Sequence, residues 1–219
     1  MPFSHVDSKG CAFEDKLDRL FQGKSEGFFI ELGAHDGITQ SNTAKLEYDR
    51  MWKGLLVEPT LRLYEECCRN RPNSQCVRAA CVASTFKQPK VMGDFGDGGG
   101  CMSSINGMRC HAKLSDLCAV PAVTLEHLLD QMKPSTIDFL SLDTEGYELN
   151  VLDGLNLDRY RPHYMLIEIY NTQHEQIVEF LTKQRYELLE NFSNYNKTDN
   201  PGWDGTHNDY LFRDAMRSN

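Results

Sequence analysis

No apolar stretch of this 219-residue sequence is long enough to cross a membrane. The mainly apolar runs Phe28–Leu32 and Met165–Ile169 have the length of β-strands, whereas a spanning helix needs about 18 residues. The polar stretch 1–10 is not followed by the hydrophobic segment of a secretory signal. The sequence therefore predicts a cytoplasmic protein without a membrane span.

Basic residues are in deficit. The chain has 23 Lys and Arg against 32 Asp and Glu, which gives a formal net charge of −9. Non-specific binding to nucleic acid depends on Lys and Arg side chains that neutralise phosphates. The densest basic cluster here is only the segment Arg69–Arg71. We therefore expect no nucleic-acid partner.

Cys-x-x-Cys spacings are absent, although the chain contains 8 cysteines. Disulfide-rich proteins are typically short and secreted, and this sequence shows neither feature. A structural zinc site usually has closely spaced pairs of ligands. Its candidates here, which lack that spacing, are Cys101, Cys110, His111 and Cys118. The sequence favours reduced thiols, several of them buried as small hydrophobic residues.

Internal repeats and low-complexity segments are also missing. Hydrophobic residues make up 40% of the chain and charged residues 25%, which is ordinary for a globular protein. The length suits one α/β domain over residues 1–219. Within that domain we expect an N-terminal helical segment over 1–26 and, over 84–121, a hairpin with an ordered insertion or lid.

Short apolar runs alternate with amphipathic helical patterns along the chain. Strands are predicted over 28–32, 55–57, 75–82, 137–142, 164–169, 186–189 and 210–213. Helices are predicted over 12–22, 43–50, 61–69, 125–132, 147–155 and 176–184. This alternation is typical of a doubly wound, mostly parallel sheet, with the last two strands antiparallel at its edge. In such sheets ligands bind beyond the carboxyl ends of the strands.

The first of these ends is the turn in FFIELGAHDG, where Gly33 and Gly37 let the backbone turn tightly and approach a ligand. The turn lacks the central glycine of the dinucleotide-binding fingerprint. Glu31 and Asp36 would repel a pyrophosphate but suit a cofactor that carries an ammonium and a sulfonium group. The turn therefore favours S-adenosylmethionine, and a nicotinamide-dependent oxidoreductase is the alternative.

Glu58 ends the second predicted strand, in LLVEPT. An acid at this position can accept both hydroxyls of an adenosine ribose. Dinucleotide enzymes use the same device, so Glu58 does not by itself separate the two cofactors. The competing interpretation is a surface carboxylate at a strand end.

Polar side chains also follow the fourth and fifth predicted strands. Asp143, Glu145 and Glu148 follow one, and Glu168 and Asn171 lie at the end of the other. The two strands are neighbours in a sheet of this type, so Asp143 and Glu168 can converge on one cleft. Methylation of a hydroxyl needs a base or a metal ion that acidifies it. Oxygen ligands suit Mg²⁺ or Mn²⁺, whereas a helix N-terminus alone explains Glu145 and Glu148.

Five motifs occur in an order and spacing that resemble the FkbM family of class I S-adenosylmethionine-dependent methyltransferases: IELGAHDG-ITQSNT, LLVEPT, RAACV, IDFLSLDTEGYELNVLDGL and the IE of YMLIEIY. The resemblance implies a Rossmann-like fold. Its sheet has seven strands, is mostly parallel with an antiparallel last strand, and carries helices on both faces. The implied reaction is methyl transfer to oxygen, often on a sugar or another polyol.

The resemblance also implies site residues by position. The methionine part of the cofactor would contact Glu31, Gly33, Ala34, His35, Asp36 and Gly37, and the ribose would contact Glu58. The resemblance places four further residues near cofactor or substrate: Ser41, Asn42, Ser103 and Ser104. Asp143, next to the cofactor, and Glu168 would face the reacting hydroxyl, and with Asn171 they are the candidate metal ligands. Many family members carry Asn at the position of His35.

His207, in WDGTHNDY, could reach the cleft from the loop before the last strand and act as a base, because its unperturbed pKa is about 6.5. A solvated loop histidine is the competing interpretation. Trp203 could stack on a sugar face, although rim packing explains it equally well.

The sequence thus predicts an S-adenosylmethionine-dependent O-methyltransferase that acts on a sugar hydroxyl, for example of a deoxyhexose in a glycan. The insertion over 84–121 would shape the acceptor site. A domain joined to glycosyltransferases, or a partner of them, would have the same sequence features. The alternatives are O-methylation of a non-sugar small molecule, the oxidoreductase, and a non-catalytic module of the same fold.

Overall fold

The computed structural model describes residues 3–96, 105 and 117–217. In these ranges the strands are β1 (Phe28–Leu32), β2 (Lys53–Val57), β3 (Gln75–Val77), β4 (Ala80–Cys81), β5 (Lys90–Gly93), β6 (Cys118–Val123), β7 (Ile137–Leu142), β8 (Pro162–Tyr170), β9 (Tyr186–Asn191) and β10 (His207–Asp214). The helices are α1 (Phe13–Leu20), α2 (Ala44–Arg50), α3 (Leu61–Asn70), α4 (Leu125–Met132), α5 (Glu148–Asp153) and α6 (His174–Lys183).

Seven strands form the main sheet in the order β3-β2-β1-β7-β8-β10-β9. Neighbours from β3 to β8 are parallel, whereas β10 is antiparallel to both β8 and β9. The predicted seven-stranded sheet with a reversed last strand is confirmed. Strand order reverses between β1 and β7, so a crevice is expected at the carboxyl ends of these two strands.

Helices cover both faces of the sheet because its strands are apolar on both sides. In β1, Ile30 and Leu32 join a core cluster that includes apolar side chains of α4, α5 and α6. Phe29, on the opposite face, packs in a second cluster with Phe13 and Leu17 of α1. Alternate residues of one strand thus serve two cores, as a buried parallel strand requires.

The predicted third strand over 75–82 was wrong in its extent. The chain forms two short strands there: β3 pairs with β2 in the main sheet, and β4 pairs with β6 in a separate three-stranded sheet of order β4-β6-β5. Ladder pairing with β2 ends at Val77, whose carbonyl oxygen accepts the backbone N–H of Glu58. The chain then leaves the main sheet, and Ala80 begins the new pairing.

The insertion contains the predicted hairpin, because β5 and β6 pair antiparallel. Strand β6 continues to Val123, past the predicted boundary at residue 121. Residues 97–104 and 106–116 lie outside the described residues, so the lid stays a prediction. The same ranges contain three of the four candidate zinc ligands, Cys101, Cys110 and His111.

One position differs near the chain's last strand: His207 begins β10 rather than lying in the loop before it. Its backbone pairs with that of Tyr170, so the sheet fixes the position from which the His207 side chain projects. Among the residues that the structure describes, no helix has both the length and the apolar character needed to cross a bilayer.

Candidate active site

The turn after β1 lies against the end of β7. Gly33 has φ +79°, and a β-carbon on it would lie 2.1 Å from the backbone oxygen of Asp143. Gly37 has φ +81°, and its β-carbon would lie 2.7 Å from Cγ of Arg71. Both glycines are therefore required by backbone conformation and by close packing. Ala34, between them, is buried in the core beneath the turn.

A buried guanidinium supports this turn from below. Arg71 follows α3 and has no exposed surface. Its nitrogens donate to the Gly37 backbone oxygen at 3.0 Å, Ser41 Oγ at 3.1 Å, Thr43 Oγ1 at 2.9 Å and Glu47 Oε2 at 2.8 Å. A buried charge is tolerated only when it is paired and hydrogen-bonded. The network meets that condition and connects the turn, α2 and the end of α3.

Glu31 belongs to the same network. Its carboxylate accepts from Ser41 Oγ at 2.9 Å, from the Asn42 backbone N–H at 2.7 Å and from Thr43 Oγ1 at 2.6 Å. Arg71 Nη1 lies 3.6 Å away. Through these contacts Glu31 holds the segment 41–43 in place, and Ser41 links that segment to Arg71. Neither Glu31 nor Ser41 lines the cavity described below. Direct contact of these two residues with cofactor stays a prediction.

Asp36 and Asn42 are likewise engaged within the protein. The Asp36 carboxylate accepts the backbone N–H groups of Ile38 at 2.8 Å and Thr39 at 2.6 Å. Partial burial alone would raise its pKa, but these hydrogen bonds outweigh it and lower the pKa of Asp36. The Asn42 amide donates to Ser141 Oγ at 3.0 Å. Asp36 closes the turn, and Asn42 joins it to β7.

Glu58 projects from the end of β2 beside the turn. Its two oxygens accept the backbone N–H of His35 at 3.0 Å and that of Thr60 at 2.8 Å. Burial raises the pKa of Glu58, although these hydrogen bonds oppose the effect. Each carboxylate oxygen can accept more than one hydrogen bond. Glu58 is therefore fixed in place and can still accept from a ligand.

A cavity opens at the carboxyl ends of β1, β2 and β7. Four predicted site residues line it: Gly33, His35, Glu58 and Asp143. Its apolar wall includes Ala79, Ala80 and Cys81. These three residues belong to the RAACV motif and follow β3 at the same end of the sheet. The wall also includes Phe95 and Ile105, which the sequence analysis did not single out. Ser103 and Ser104 lie outside the described residues.

Three carboxylates meet at one end of this cavity. Oxygen atoms of Asp143, Glu145 and Glu168 all lie within 4.8 Å of one another. Burial, followed by the negative charges of Glu145 and Glu148, raises the pKa of Asp143 well above its ordinary value. Burial and the charge of Asp143 do the same for Glu168. The predicted convergence of Asp143 and Glu168 is confirmed.

Glu145 was explained from the sequence as a helix-terminus acid, yet it belongs to the cluster. Its φ of +55° turns the backbone after Asp143, and its Oε2 accepts the Tyr170 hydroxyl at 2.6 Å. Glu148 instead closes the loop before α5, where its Oε1 accepts the backbone N–H groups of Thr144 and Gly146. Sequence position alone does not separate these two roles.

His207 reaches the carboxylate cluster from β10. Its Nε2 lies 3.2 Å from Glu168 Oε1, and its Nδ1 lies 2.9 Å from Thr206 Oγ1. Asp209, which sequence analysis missed, pairs with Glu168 across the β8–β10 ladder, and burial raises its pKa to about 7. The Asn171 amide nitrogen donates to the Gly205 backbone oxygen at 2.7 Å. Metal ligation by Asn171 stays a prediction.

Comparison with known proteins places this geometry in a family. Residues 31–188 match the model described as the methyltransferase FkbM domain. The chain belongs to the FkbM methyltransferase family. It is therefore an S-adenosylmethionine-dependent methyltransferase, as predicted, rather than a nicotinamide-dependent oxidoreductase. None of the curated protein sequences compared with this chain matches it.

Solved structures agree on the fold. The METTL16 methyltransferase domain matches with a TM-score of 0.50 and 11% identity, over 93% of this chain and 66% of that one. A TehB-like methyltransferase from Corynebacterium glutamicum matches with a TM-score of 0.47 and 9% identity, over 92% and 87%. Aeropyrum pernix fibrillarin with bound S-adenosyl-L-methionine matches with a TM-score of 0.47 and 13% identity, over 87% and 67%. The Rossmann-like class I fold described above is therefore shared with the METTL16 methyltransferase domain.

Replacement of Arg71 with Met should lower the free energy of unfolding by about 3–5 kcal/mol, because it leaves the buried Glu31 and Glu47 carboxylates without their partner. Urea unfolding measures the change. The matched control is Arg62→Met, which removes an exposed pair with Glu66 and should cost about 0.5 kcal/mol or less. Equal losses in the two variants would contradict the structural role of Arg71.

Proposed function

We propose that this methyltransferase transfers the methyl group of S-adenosylmethionine to a hydroxyl oxygen of a sugar. The observation that carries the proposal is the cluster of Asp143, Glu145 and Glu168 at one end of the cofactor cavity. A hydroxyl is a weak nucleophile until its proton is removed, so its methylation needs a base at the point of transfer. The cluster supplies carboxylates at that point.

The cavity has the chemistry that the cofactor requires. Bound S-adenosylmethionine supplies a methyl group on a positively charged sulfur. Among the lining side chains, Ala79, Ala80 and Phe95 suit the adenine ring, Glu58 suits the ribose hydroxyls, and the carboxylates suit the positive charge. His35 and Gly33 would contact the rest of the cofactor from the turn. Glu31, Ser41 and Asn42 would act by holding that turn.

Asp143 and Glu168 are the proposed bases. Burial, followed by the negative charges of neighbouring carboxylates, raises the pKa of both residues. A carboxylate with a raised pKa takes up a proton from a hydroxyl more readily than an ordinary one. Asp143 also lines the cofactor cavity, so an acceptor hydroxyl bound to it would lie close to the transferred methyl group. Alignment and proton removal would therefore come from one residue.

His207 is proposed to orient Glu168 and to accept a proton from it. Its Nε2 lies 3.2 Å from Glu168 Oε1, and the ladder between β8 and β10 fixes the distance between the two backbones. A proton taken up by Glu168 can pass along this contact to the imidazole. That route would lead the proton away from the acceptor and toward the loop that contains Thr206.

A divalent cation is the second way in which the cluster can activate a hydroxyl. The candidate donor atoms are carboxylate oxygens, which suit Mg²⁺ or Mn²⁺. Within the described part of the chain, Asp143 Oδ1 and Glu168 Oε2 are buried and have no hydrogen-bond donor. A bound cation would offset the repulsion among the three carboxylates and would acidify the hydroxyl. We therefore include Mg²⁺ or Mn²⁺ in the proposal.

Several features support a carbohydrate acceptor. Adjacent carboxylates can accept from neighbouring hydroxyls of one polyol. Trp203 is attached to the start of β10, because its indole N–H donates to the His207 backbone oxygen at 3.0 Å, and its ring offers an apolar face. The net charge of −9 disfavours a nucleic-acid acceptor. A non-sugar small molecule is the alternative acceptor. We further propose that the protein is cytoplasmic and that it associates with glycosyltransferases.

Replacement of Asp143 with Asn should reduce turnover about 100-fold or more, because the amide removes a base and leaves the side chain's size unchanged. Methyl transfer from labelled cofactor to an array of glycosides measures turnover. Calorimetry should show nearly unchanged affinity for S-adenosylhomocysteine.

The matched control is Asp158→Asn, an exposed aspartate whose replacement should leave both quantities unchanged. Near-wild-type turnover in Asp143→Asn would show that the role assigned to this carboxylate is wrong. Methyl groups found on nitrogen or carbon of every accepted compound would overturn the proposed O-methylation.

Chelation should test the metal separately. EDTA is expected to abolish methyl transfer, and Mg²⁺ or Mn²⁺ added in excess should restore it, because the chelator would remove a cation that the carboxylates hold reversibly. Turnover assays in buffer passed over a chelating resin provide the measurement. Full activity in the presence of EDTA would contradict the proposed metal ion. The carboxylates would then have to activate the hydroxyl as bases without it.

A further inference from the structure

Three cysteines lie where α3 meets the edge strand β3. The Sγ atoms of Cys67 and Cys76 are 3.6 Å apart, which is van der Waals contact between sulfurs. Cys67 is buried, Cys76 is partly exposed, and Cys68 is exposed beside them. A disulfide has a sulfur–sulfur distance of about 2.05 Å. The Cys67–Cys76 pair is therefore close to bonding geometry without a large backbone movement.

The two thiols of this pair differ in acidity. The hydrogen bond with Cys67 lowers the pKa of Cys76, and Cys68 and the positive charge of Arg71 add to that effect against the opposing effect of burial. The same contact, followed by burial, raises the pKa of Cys67. The thiolate is the reactive form of cysteine. Cys76 therefore offers the thiolate on the accessible side, and Cys67 offers a second sulfur behind it.

The end of α3 is attached to the cofactor turn at three points. A β-carbon placed on Gly37 would lie 3.1 Å from Cys67 Sγ and 3.3 Å from Cys67 Cα, so the turn rests directly on Cys67. The Asn70 amide donates to the Asp36 backbone oxygen at 2.9 Å. Arg71 donates to the Gly37 backbone oxygen at 3.0 Å. Movement of the Cys67 side chain is thus transmitted to the turn.

We propose that Cys67 and Cys76 form a reversible disulfide when the protein meets a peroxide, and that this bond weakens cofactor binding through the turn at Gly37. The inference rests on the proposed function of the cavity as the cofactor site. It assigns a modification site whose two cysteines do not line that cavity.

The reaction balances with one molecule of hydrogen peroxide. The Cys76 sulfur attacks one peroxide oxygen, the O–O bond breaks, and the leaving hydroxide takes a proton to become water, which leaves a sulfenic acid on Cys76. The Cys67 sulfur then attacks the Cys76 sulfur and loses its proton as the S–O bond breaks, and a second water departs. Two thiols are oxidised by two electrons, and the peroxide is reduced. A dithiol reverses the bond by thiol–disulfide exchange.

The bond is expected to loosen the turn. It shortens the 3.6 Å contact to about 2.05 Å and draws the Cys67 sulfur toward β3. Gly37 then loses packing from a side chain that supports its left-handed conformation. His35 and Glu58 are joined through the same turn, so the change reaches the ribose-binding carboxylate.

The experiment oxidises the reduced protein with hydrogen peroxide, blocks the remaining thiols and identifies linked peptides by mass spectrometry. Wild type and Cys68→Ser should both form the link, whereas Cys76→Ser and Cys67→Ser should not. Calorimetry with S-adenosylhomocysteine should show affinity about fivefold or more weaker for oxidised wild type than for reduced wild type. Dithiothreitol should restore it, and Cys76→Ser should keep its affinity after oxidation.

Each contrary result has a separate meaning. A link that requires Cys68, or one formed instead by Cys101 or Cys110, would overturn the assigned pair. A Cys67–Cys76 link with unchanged affinity would overturn the coupling to the turn. If reduced wild type does not bind S-adenosylhomocysteine, the cofactor cavity itself is wrong and the coupling falls with it, whereas the peptide map still judges the disulfide on its own.

Discussion

The buried guanidinium of Arg71 is the interaction on which the candidate site depends. A charge without exposed surface must be satisfied by the protein, and here its partners come from the turn after β1, from α2 and from the segment between them. The turn contains residues with positive φ at Gly33, His35 and Gly37, a conformation that a free chain adopts rarely. The network holds that conformation before any ligand arrives.

The order of strands in the sheet determines what the turn faces. Because β1 and β7 are adjacent and parallel, Gly33 lies against Asp143, and the cavity beside the turn includes carboxylates of the cluster in its lining. The antiparallel strand β10 then brings His207 to Glu168 from the opposite direction. One end of the sheet thus provides the apolar wall, the Glu58 carboxylate and the acidic cluster of the proposed methyl-transfer site.

Local sequence predicted the strands whose boundaries are marked by turn residues. The bounds of β1 and β7 agree with the predicted ones, and Glu58, Asp143 and Glu168 lie at strand ends as expected. Sequence patterns could not reveal Arg71, because its partners are distant in the chain and its burial depends on how three segments pack. Glu31 illustrates the same limit: its position in the motif indicated a ligand contact, and its hydrogen bonds serve the turn. Glu145 joined the cluster through a positive φ that no periodicity encodes.

Amide chemical shifts during titration with S-adenosylhomocysteine test the central claim, which is that the preorganised turn and the end of β2 form the cofactor site. The account predicts the largest changes at Gly33–Gly37, Glu58–Thr60 and Ala79–Cys81, with saturation at one equivalent. The polar depression beside α6, whose lining includes His174, Glu175 and Gln176, shares no lining residue with the cavity and should change little. Large changes there, with the turn after β1 unaffected, would contradict the account.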